Sequence, residues 1–204
     1  MGKLAAQNKL IIDLCGGTGS WSKPYKDAGH DVIVVTHPDT DIFDFRLPKD
    51  YIFGILAAPP CTMFSLARTT ASTPRDLRGG MRIVLRCLKI IREAMYREDP
   101  PVFWALENPL ALLVRFLGYP PLVYDPADYG DPYTKRTGLW GKFKVPVKNR
   151  VSLTDQQMRD CSINNRILPP VPDDYIVPAD MRRQAVRRSI TPTGFAQAFY
   201  RANH

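Results

Sequence analysis

Short apolar runs alternate with amphipathic or polar stretches through the first half of the chain. Leu10-Ile11-Ile12-Asp13-Leu14 reads as a strand that stops at Cys15-Gly16-Gly17-Thr18-Gly19-Ser20. A helix is expected next, with Trp21 and Tyr25 on one face and an end near Ala28-Gly29, where glycine suits a helix C-terminus. Val32–Val35 and Ile52–Ala57 are two further strands, the second ending at Ala58-Pro59-Pro60-Cys61. A polar loop from Ser65 to Gly80 leads into the longest helix, about Met81–Arg97. There Val84, Leu85, Leu88, Ile91 and Met95 recur at helical spacing, with Arg82, Arg86 and Lys89 on another face. Val102–Leu106 is a fourth strand, ended by Glu107-Asn108-Pro109. Val147–Ile190 shows no usable periodicity.

Strands alternating with helices, each strand apolar throughout, point to an α/β fold. The expected form is Rossmann-like and doubly wound, a mostly parallel sheet with helices on both faces. Ligands in such folds sit at the carboxyl ends of the strands. Here those ends carry Gly16-Gly17-Thr18-Gly19, Pro59-Pro60-Cys61 and Glu107-Asn108-Pro109.

Composition narrows the class. The chain has 204 residues, 45% hydrophobic and 24% charged, as in an ordinary globular protein and unlike a disordered one. Its length suits one substantial domain. No apolar run approaches the ~20 residues needed to cross a bilayer, and Met1–Lys9 is mixed and polar, without the apolar stretch of a signal peptide. Cys15, Cys61, Cys87 and Cys161 are too dispersed for a disulfide scaffold or zinc spacing, and His30, His37 and His204 are too scattered for a metal site. A reduced, cytoplasmic protein of enzyme size, without metal or membrane contact, is expected.

Charge changes the picture further. The net charge is +8, and Pro126–His204 holds 13 Lys and Arg against 7 Asp and Glu. The chain's 19 prolines, nearly twice the roughly 5% typical, cluster from Pro100 onward. A basic, proline-punctuated C-terminal third reads as loops facing a polyanion or as a solvated basic surface; charge alone leaves both open.

Three features carry candidate chemistry. The turn Gly16-Gly17-Thr18-Gly19 brings backbone close to a ligand and aims helix-terminal N–H groups at it. It completes neither the longer G-x-G-x-x-G run nor a triphosphate loop, and a tight turn needing small residues is the alternative. Cys61 follows two prolines at a strand end, a rigid elbow that projects the thiol. A free cysteine is more often a buried small hydrophobe, but the polar run Thr62–Gly80 argues against deep burial here; Cys87, inside an apolar helix, is the better core candidate. Glu107 closes an apolar strand and is one of three glutamates, Glu93 and Glu98 fitting a solvated helix face. It is either an acid–base group facing a ligand or the partner of one of the many arginines.

In this order the motifs resemble those of the DNA cytosine methyltransferases that methylate ring carbon 5. Asp13-Leu14-Cys15-Gly16-Gly17-Thr18-Gly19 resembles that family's S-adenosylmethionine loop, and Thr40-Asp41-Ile42 its short acidic motif. Pro59-Pro60-Cys61-Thr62-Met63-Phe64-Ser65 resembles the nucleophile motif, and Ala105-Leu106-Glu107-Asn108-Pro109 the element that binds the target cytosine. Tyr129–Thr137 is similar to the later segment with its basic pair, and Ile190–Ala196 to the C-terminal element that returns to close the cofactor pocket. The resemblance spans about residues 10–140 and 189–203. It implies the methyltransferase form of the Rossmann-like fold, with S-adenosyl-L-methionine as cofactor. The cofactor would be held by Asp13, Cys15, Gly16, Gly17, Thr18, Gly19, Trp21, Asp41, Ile42 and Pro59. Trp21 is the candidate to replace a family Phe that stands where this chain has Cys15, and Asp39 a displaced substitute for a ribose-binding acid. Cys61, Glu107, Asn108 and Arg136 would be catalytic. Ser65, Arg68, Arg75, Arg78, Lys135, Arg182 and Arg183, with the Arg187-Arg188 pair, are candidates for DNA contacts.

The family also places a target-recognition domain after its basic element, where this chain has only about Phe143–Arg188. The expected division is a catalytic domain of residues 1–142 and 189–204, with 143–188 as a reduced, loop-rich recognition segment. Cytosine-containing DNA is the expected partner, with a specificity subunit or a homodimer as further partners. A free cytosine nucleotide, single-stranded DNA or RNA is a second substrate reading. A catalytically inactive cofactor- or DNA-binding partner protein is a third, and retention of both Cys61 and Glu107 argues against it.

Overall fold

The computed structural model of the chain describes residues 9–66, 73–157, 159, 168–179 and 182–204. Its strands are β1 (Leu10–Leu14), β2 (Asp31–Val35), β3 (Ile52–Ala57), β4 (Phe103–Pro109), β5 (Leu122–Tyr124) and β6 (Thr137–Lys142). They form one sheet of order β2-β1-β3-β4-β6-β5. The first four run parallel. β6 reverses against β4, and β5 reverses again against β6. This is the expected mostly parallel, Rossmann-like sheet.

Alternation along the buried strands divides the core between the two faces. Ile12, Leu14, Ile55, Ala57 and Leu106 pack beneath α2 (Leu77–Met95). Ile11, Leu56, Phe103 and Ala105 point the other way, toward Tyr25 of α1 (Lys23–Asp27) and Phe195 and Phe199 of the C-terminal helix (Thr193–Ala202). One-turn α3 (Val114–Leu117) follows β4, and α4 (Arg183–Ser189) precedes the C-terminal helix, α5.

The long helix starts at Leu77, earlier than its apolar periodicity suggested. Asp76 caps it by accepting the Gly79 N–H at 2.7 Å. The Gly79-Gly80 pair thus lies inside the first turn. A Cβ on Gly80 would come within 3.0 Å of Met63 Cβ, so the missing side chain lets the segment after Cys61 lie against the helix. The apolar face is also turned from the expected stripe: Leu85 is exposed, while Cys87, Ile90 and Ala94 are buried with Val84 and Ile91. β4 continues through Glu107-Asn108-Pro109, because β6 supplies partners Leu139, Gly138 and Thr137. Those three residues are held in the sheet, not on a loop beyond it.

Between β6 and α4 the described residues form no strand. The stretch is tied down at points: Lys148 and Arg150 pair with the buried Asp128 at 3.1 and 2.7 Å, and Val171 is buried. Among the described residues no helix is long and apolar enough to cross a membrane.

Candidate active site

β1 delivers Asp13, wholly buried, beneath the glycine turn. The Gly19 N–H donates to the Gly16 carbonyl at 2.9 Å, closing the turn. Cys15, Gly17 and Gly19 all have positive φ, of 55°, 56° and 68°. A Cβ on Gly16 would stand 2.5 Å from the Asp13 carboxyl carbon, so this glycine is required by close approach. The Ser22 hydroxyl donates to Asp13 Oδ2 at 2.6 Å. Asp13 Oδ1 is buried with no hydrogen-bond partner. Burial pushes the Asp13 carboxyl up to about 7, against the opposing pull of Ser22. Cys15 Sγ lies 3.9 Å from Cys87 Sγ in the core under α2.

β3 ends at the Cys61 elbow, which is clamped from three sides. The Asn108 side-chain amide donates to the Pro59 carbonyl at 2.8 Å. The Phe64 and Ser65 N–H groups donate to the Cys61 carbonyl at 2.9 and 2.8 Å. The Arg75 guanidinium donates to the Met63 carbonyl at 2.9 Å. Burial pushes the Cys61 thiol up, and the nearby Glu107 does the same; Lys135 and Arg188 pull it down.

Glu107 enters the cleft from β4 with 6% of its surface exposed. Lys135 Nζ is 3.7 Å from its Oε1, an ion pair beyond hydrogen-bond contact. Asp125 fixes the Lys135 backbone, accepting its N–H at 3.0 Å. The basic pair divides here: Lys135 turns inward, while Arg136 is exposed and acts on Asp125. The cation at Glu107 is Lys135.

These groups meet in one narrow cleft of about 50 Å³ at the carboxyl ends of β1, β3 and β4. Asp13, Cys15, Gly16, Gly17, Trp21, Pro59, Cys61, Glu107 and Lys135 line it, joined by Ser189 and Thr191 from the chain's C-terminal part. That part is tied back by the Thr191 N–H on the Ser20 hydroxyl at 3.0 Å and the Gly194 N–H on Asp131 at 2.9 Å. Trp21 is 1% exposed and packs its ring against Phe195 and Phe199, centroids 6.1 and 5.4 Å away. A larger hollow, about 820 Å³, opens near Lys9, Asp31 and Tyr51 at the strands' amino ends, away from this chemistry.

Other expected residues lie elsewhere. Asp41 is exposed and accepts the Phe43 N–H at 2.8 Å. Ile42 is in the core, its carbonyl held by Arg86 at 3.1 Å. Neither lines the cleft. Thr18, Gly19, Asn108 and Ser65 support its walls without lining it, and Arg78, Arg182 and Arg183 are exposed outside it. Arg68 and Cys161 fall outside the described residues. Ser22, Asp125 and Ser189 were not anticipated. Asp125 had a signal, since Asp125-Pro126-Ala127-Asp128 forms a capping box around a short 3-10 turn.

No family model and no curated protein matches the chain. Among solved structures it is similar to the Entamoeba histolytica methyltransferase EhMeth, at 14% identity and a TM-score of 0.42, covering 72% of this chain and 56% of that one. It is also similar to the S. pombe Dnmt2 methyltransferase, at 13% identity and 0.40, covering 78% and 56%. A mutant of Spodoptera frugiperda DNMT2 aligns at 18% identity and 0.39, covering 66% and 50%. The chain thus spans about half the length of these proteins.

Proposed function

We propose that this chain is an S-adenosylmethionine-dependent methyltransferase that methylates carbon 5 of cytosine through a covalent Cys61 adduct. The observation that carries the reading is convergence. A glycine turn over a buried carboxylate with one unpartnered oxygen, a thiol on a proline elbow and a carboxylate–ammonium pair meet at one cleft from four separate segments.

The donor set suits the cofactor. S-adenosylmethionine is cationic at its sulfonium and its amino group, and the buried Asp13 carboxylate offers a free oxygen to a cation. Gly16 and Gly17 leave the backbone open for close approach. When bound, the cofactor supplies the electrophilic methyl group.

The chain's own groups would do the rest. Carbon 5 of cytosine is a poor nucleophile, so the Cys61 thiolate adds to carbon 6 and the ring double bond moves its electrons toward carbon 5 and nitrogen 3. Glu107 holds a proton at nitrogen 3 and accepts from the exocyclic amine, offsetting the charge that addition builds. Lys135 favours the thiolate and faces the ring carbonyl side. After carbon 5 gains its methyl, loss of its proton to a base returns electrons to the ring and the Cys61–carbon 6 bond breaks.

At about 50 Å³ the cleft is well below the roughly 300–1,000 Å³ of ligand pockets. A nucleotide therefore enters only as a wall moves, and the Ser189–Thr191 segment is the wall supplied by the chain's C-terminal part. A base in a duplex would in addition have to flip out. DNA is the first acceptor proposed; a single strand, RNA or free nucleotide is the second. Duplex DNA, single-stranded DNA, RNA and dCMP offered with methyl-labelled cofactor test the reading. Label on cytosine carbon 5 in at least one is expected, and label in none rejects it.

A further inference from the structure

Cys15 opens the glycine turn at a φ of 55°, a left-handed conformation that residues with a side chain rarely adopt. Its side chain joins two regions. It lines the cleft beside Gly16 and Gly17, and it packs against the core under α2. There its Sγ lies 3.9 Å from Cys87 Sγ, across 72 positions of sequence. Both thiols are free.

The two sulfurs differ in access. Cys87 is fully buried on α2, whereas Cys15 is half-buried at the cleft. A small oxidant therefore meets Cys15 first, with Cys87 in place to resolve the product, as in redox-sensitive thiol pairs. A disulfide needs its sulfurs about 2.05 Å apart, so one side has to approach. α2 is a 19-residue helix capped by Asp76 and seated on the sheet, so the turn moves and the helix stays. Gly16 and Gly17 follow Cys15 directly, and the displacement carries that side of the cleft with it.

We propose that Cys15 and Cys87 are a site of oxidative modification, where peroxide closes a disulfide that draws the glycine turn onto α2 and lowers affinity for the cofactor. The effect on cofactor rests on reading this turn as the S-adenosylmethionine site; the disulfide itself does not. The Cys15 thiolate attacks one peroxide oxygen and the O–O bond breaks. A sulfenic acid forms, and the departing hydroxide takes up the thiol proton as water. The Cys87 sulfur then attacks the sulfenic sulfur, and the displaced hydroxide leaves with the Cys87 proton as a second water. Two thiols lose two electrons and two protons, and the peroxide gains them.

The test treats the wild type and Cys87→Ala with hydrogen peroxide and maps the products by non-reducing peptide mass spectrometry. Hydrogen exchange of the peptide holding the turn and S-adenosylmethionine binding by calorimetry are measured before and after. The wild type should give a Cys15–Cys87 disulfide, slower exchange in the turn and cofactor affinity lowered by about tenfold or more. Dithiothreitol should restore all three. Cys87→Ala should stop at a Cys15 sulfenic acid, trapped by dimedone, and form no disulfide. By linkage, saturating cofactor should oppose the wild-type disulfide by the same factor in a glutathione redox buffer.

Two thiols that stay unpaired overturn the proposal, as does a disulfide joining Cys15 to Cys61 or Cys161. A Cys15–Cys87 disulfide that leaves cofactor affinity unchanged overturns it as well. A reduced wild type that binds no S-adenosylmethionine, yet forms the disulfide and slows exchange in the turn, sinks the methyltransferase reading and leaves the redox pair standing.

Discussion

Asp13 lies near the end of β1 and Glu107 near the end of β4, and both carboxylates reach the same cleft, yet they are balanced in opposite ways. Asp13 is wholly buried, its hydrogen bonds come from Ser22, a neutral residue, and burial lifts it to about 7. Glu107 is buried almost as deeply but has an ammonium group 3.7 Å away. A buried carboxylate without a cation is a costly arrangement that a cationic ligand would relieve. One with its own cation is balanced in charge before any ligand arrives, although Glu107 Oε1, like Asp13 Oδ1, has no hydrogen-bond donor. The contrast suggests a division of labour, with the β1 end built to receive charge and the β4 end built to work on a base.

The largest effect should come from Glu107→Gln, which keeps the shape and removes the charge. Methyl transfer should fall by about 10²–10⁴-fold, mostly in kcat, with cofactor affinity unchanged by calorimetry. Loss of cofactor affinity instead would erase the contrast between the two carboxylates.

Asp13→Asn should do the reverse, lowering cofactor affinity while stabilising the ligand-free fold. The sign follows from linkage. A carboxyl raised in the folded state costs no stability below its unfolded value near pH 4, and stability then declines as pH rises to about 7 and stays level above. At about 1.4 kcal/mol per pH unit, the decline amounts to roughly 4 kcal/mol. The Asn variant lacks that decline, so urea unfolding at pH 5 and pH 8 should show the two proteins diverging. Parallel curves would contradict the assignment. Cofactor binding to the wild type should show the opposite slope, strengthening by about tenfold per unit as pH approaches 7 and levelling beyond.

A smaller effect separates the basic pair. Lys135→Met should slow Cys61 alkylation severalfold near neutral pH and move its pH midpoint upward, because the cation pulling the thiol down is gone. Arg136→Met, which alters an exposed side chain facing Asp125, should leave the profile in place. Equal shifts in both variants would dissolve the distinction between the inward and outward cation.

The parallel core was legible because each of its four strands carries a short apolar run, broken in β1 only by Asp13, that ends near a glycine or proline turn. β5 and β6 were not: β5 is three residues long, and β6 begins at Thr137, inside a stretch whose basic residues invite a chemical reading. The start of α2 was hidden by Gly79-Gly80, which read as a loop until the Asp76 cap on Gly79 and the close packing of Gly80 against Met63 and Phe64 are known. In the cleft, Cys61 and Glu107 stood out because each interrupts an apolar strand end with a reactive group. Their supporting partners had no such mark. Ser22 reaches Asp13 across nine residues and Asp125 meets Lys135 across ten. Trp21 was legible as a large residue near the turn, but its packing against Phe195 and Phe199 depends on the last helix returning to the first.

The central claim is that Cys61 bonds covalently to cytosine while Glu107 steadies the ring. Incubation with cofactor and DNA containing 5-fluorocytosine tests it most directly, because fluorine blocks the final proton loss and preserves the adduct. The wild type should give a denaturant-stable protein–DNA species mapped to Cys61, and Cys61→Ser should give none. An adduct that persists in Cys61→Ser, or a wild type that forms none with any cytosine acceptor it methylates, would contradict the account.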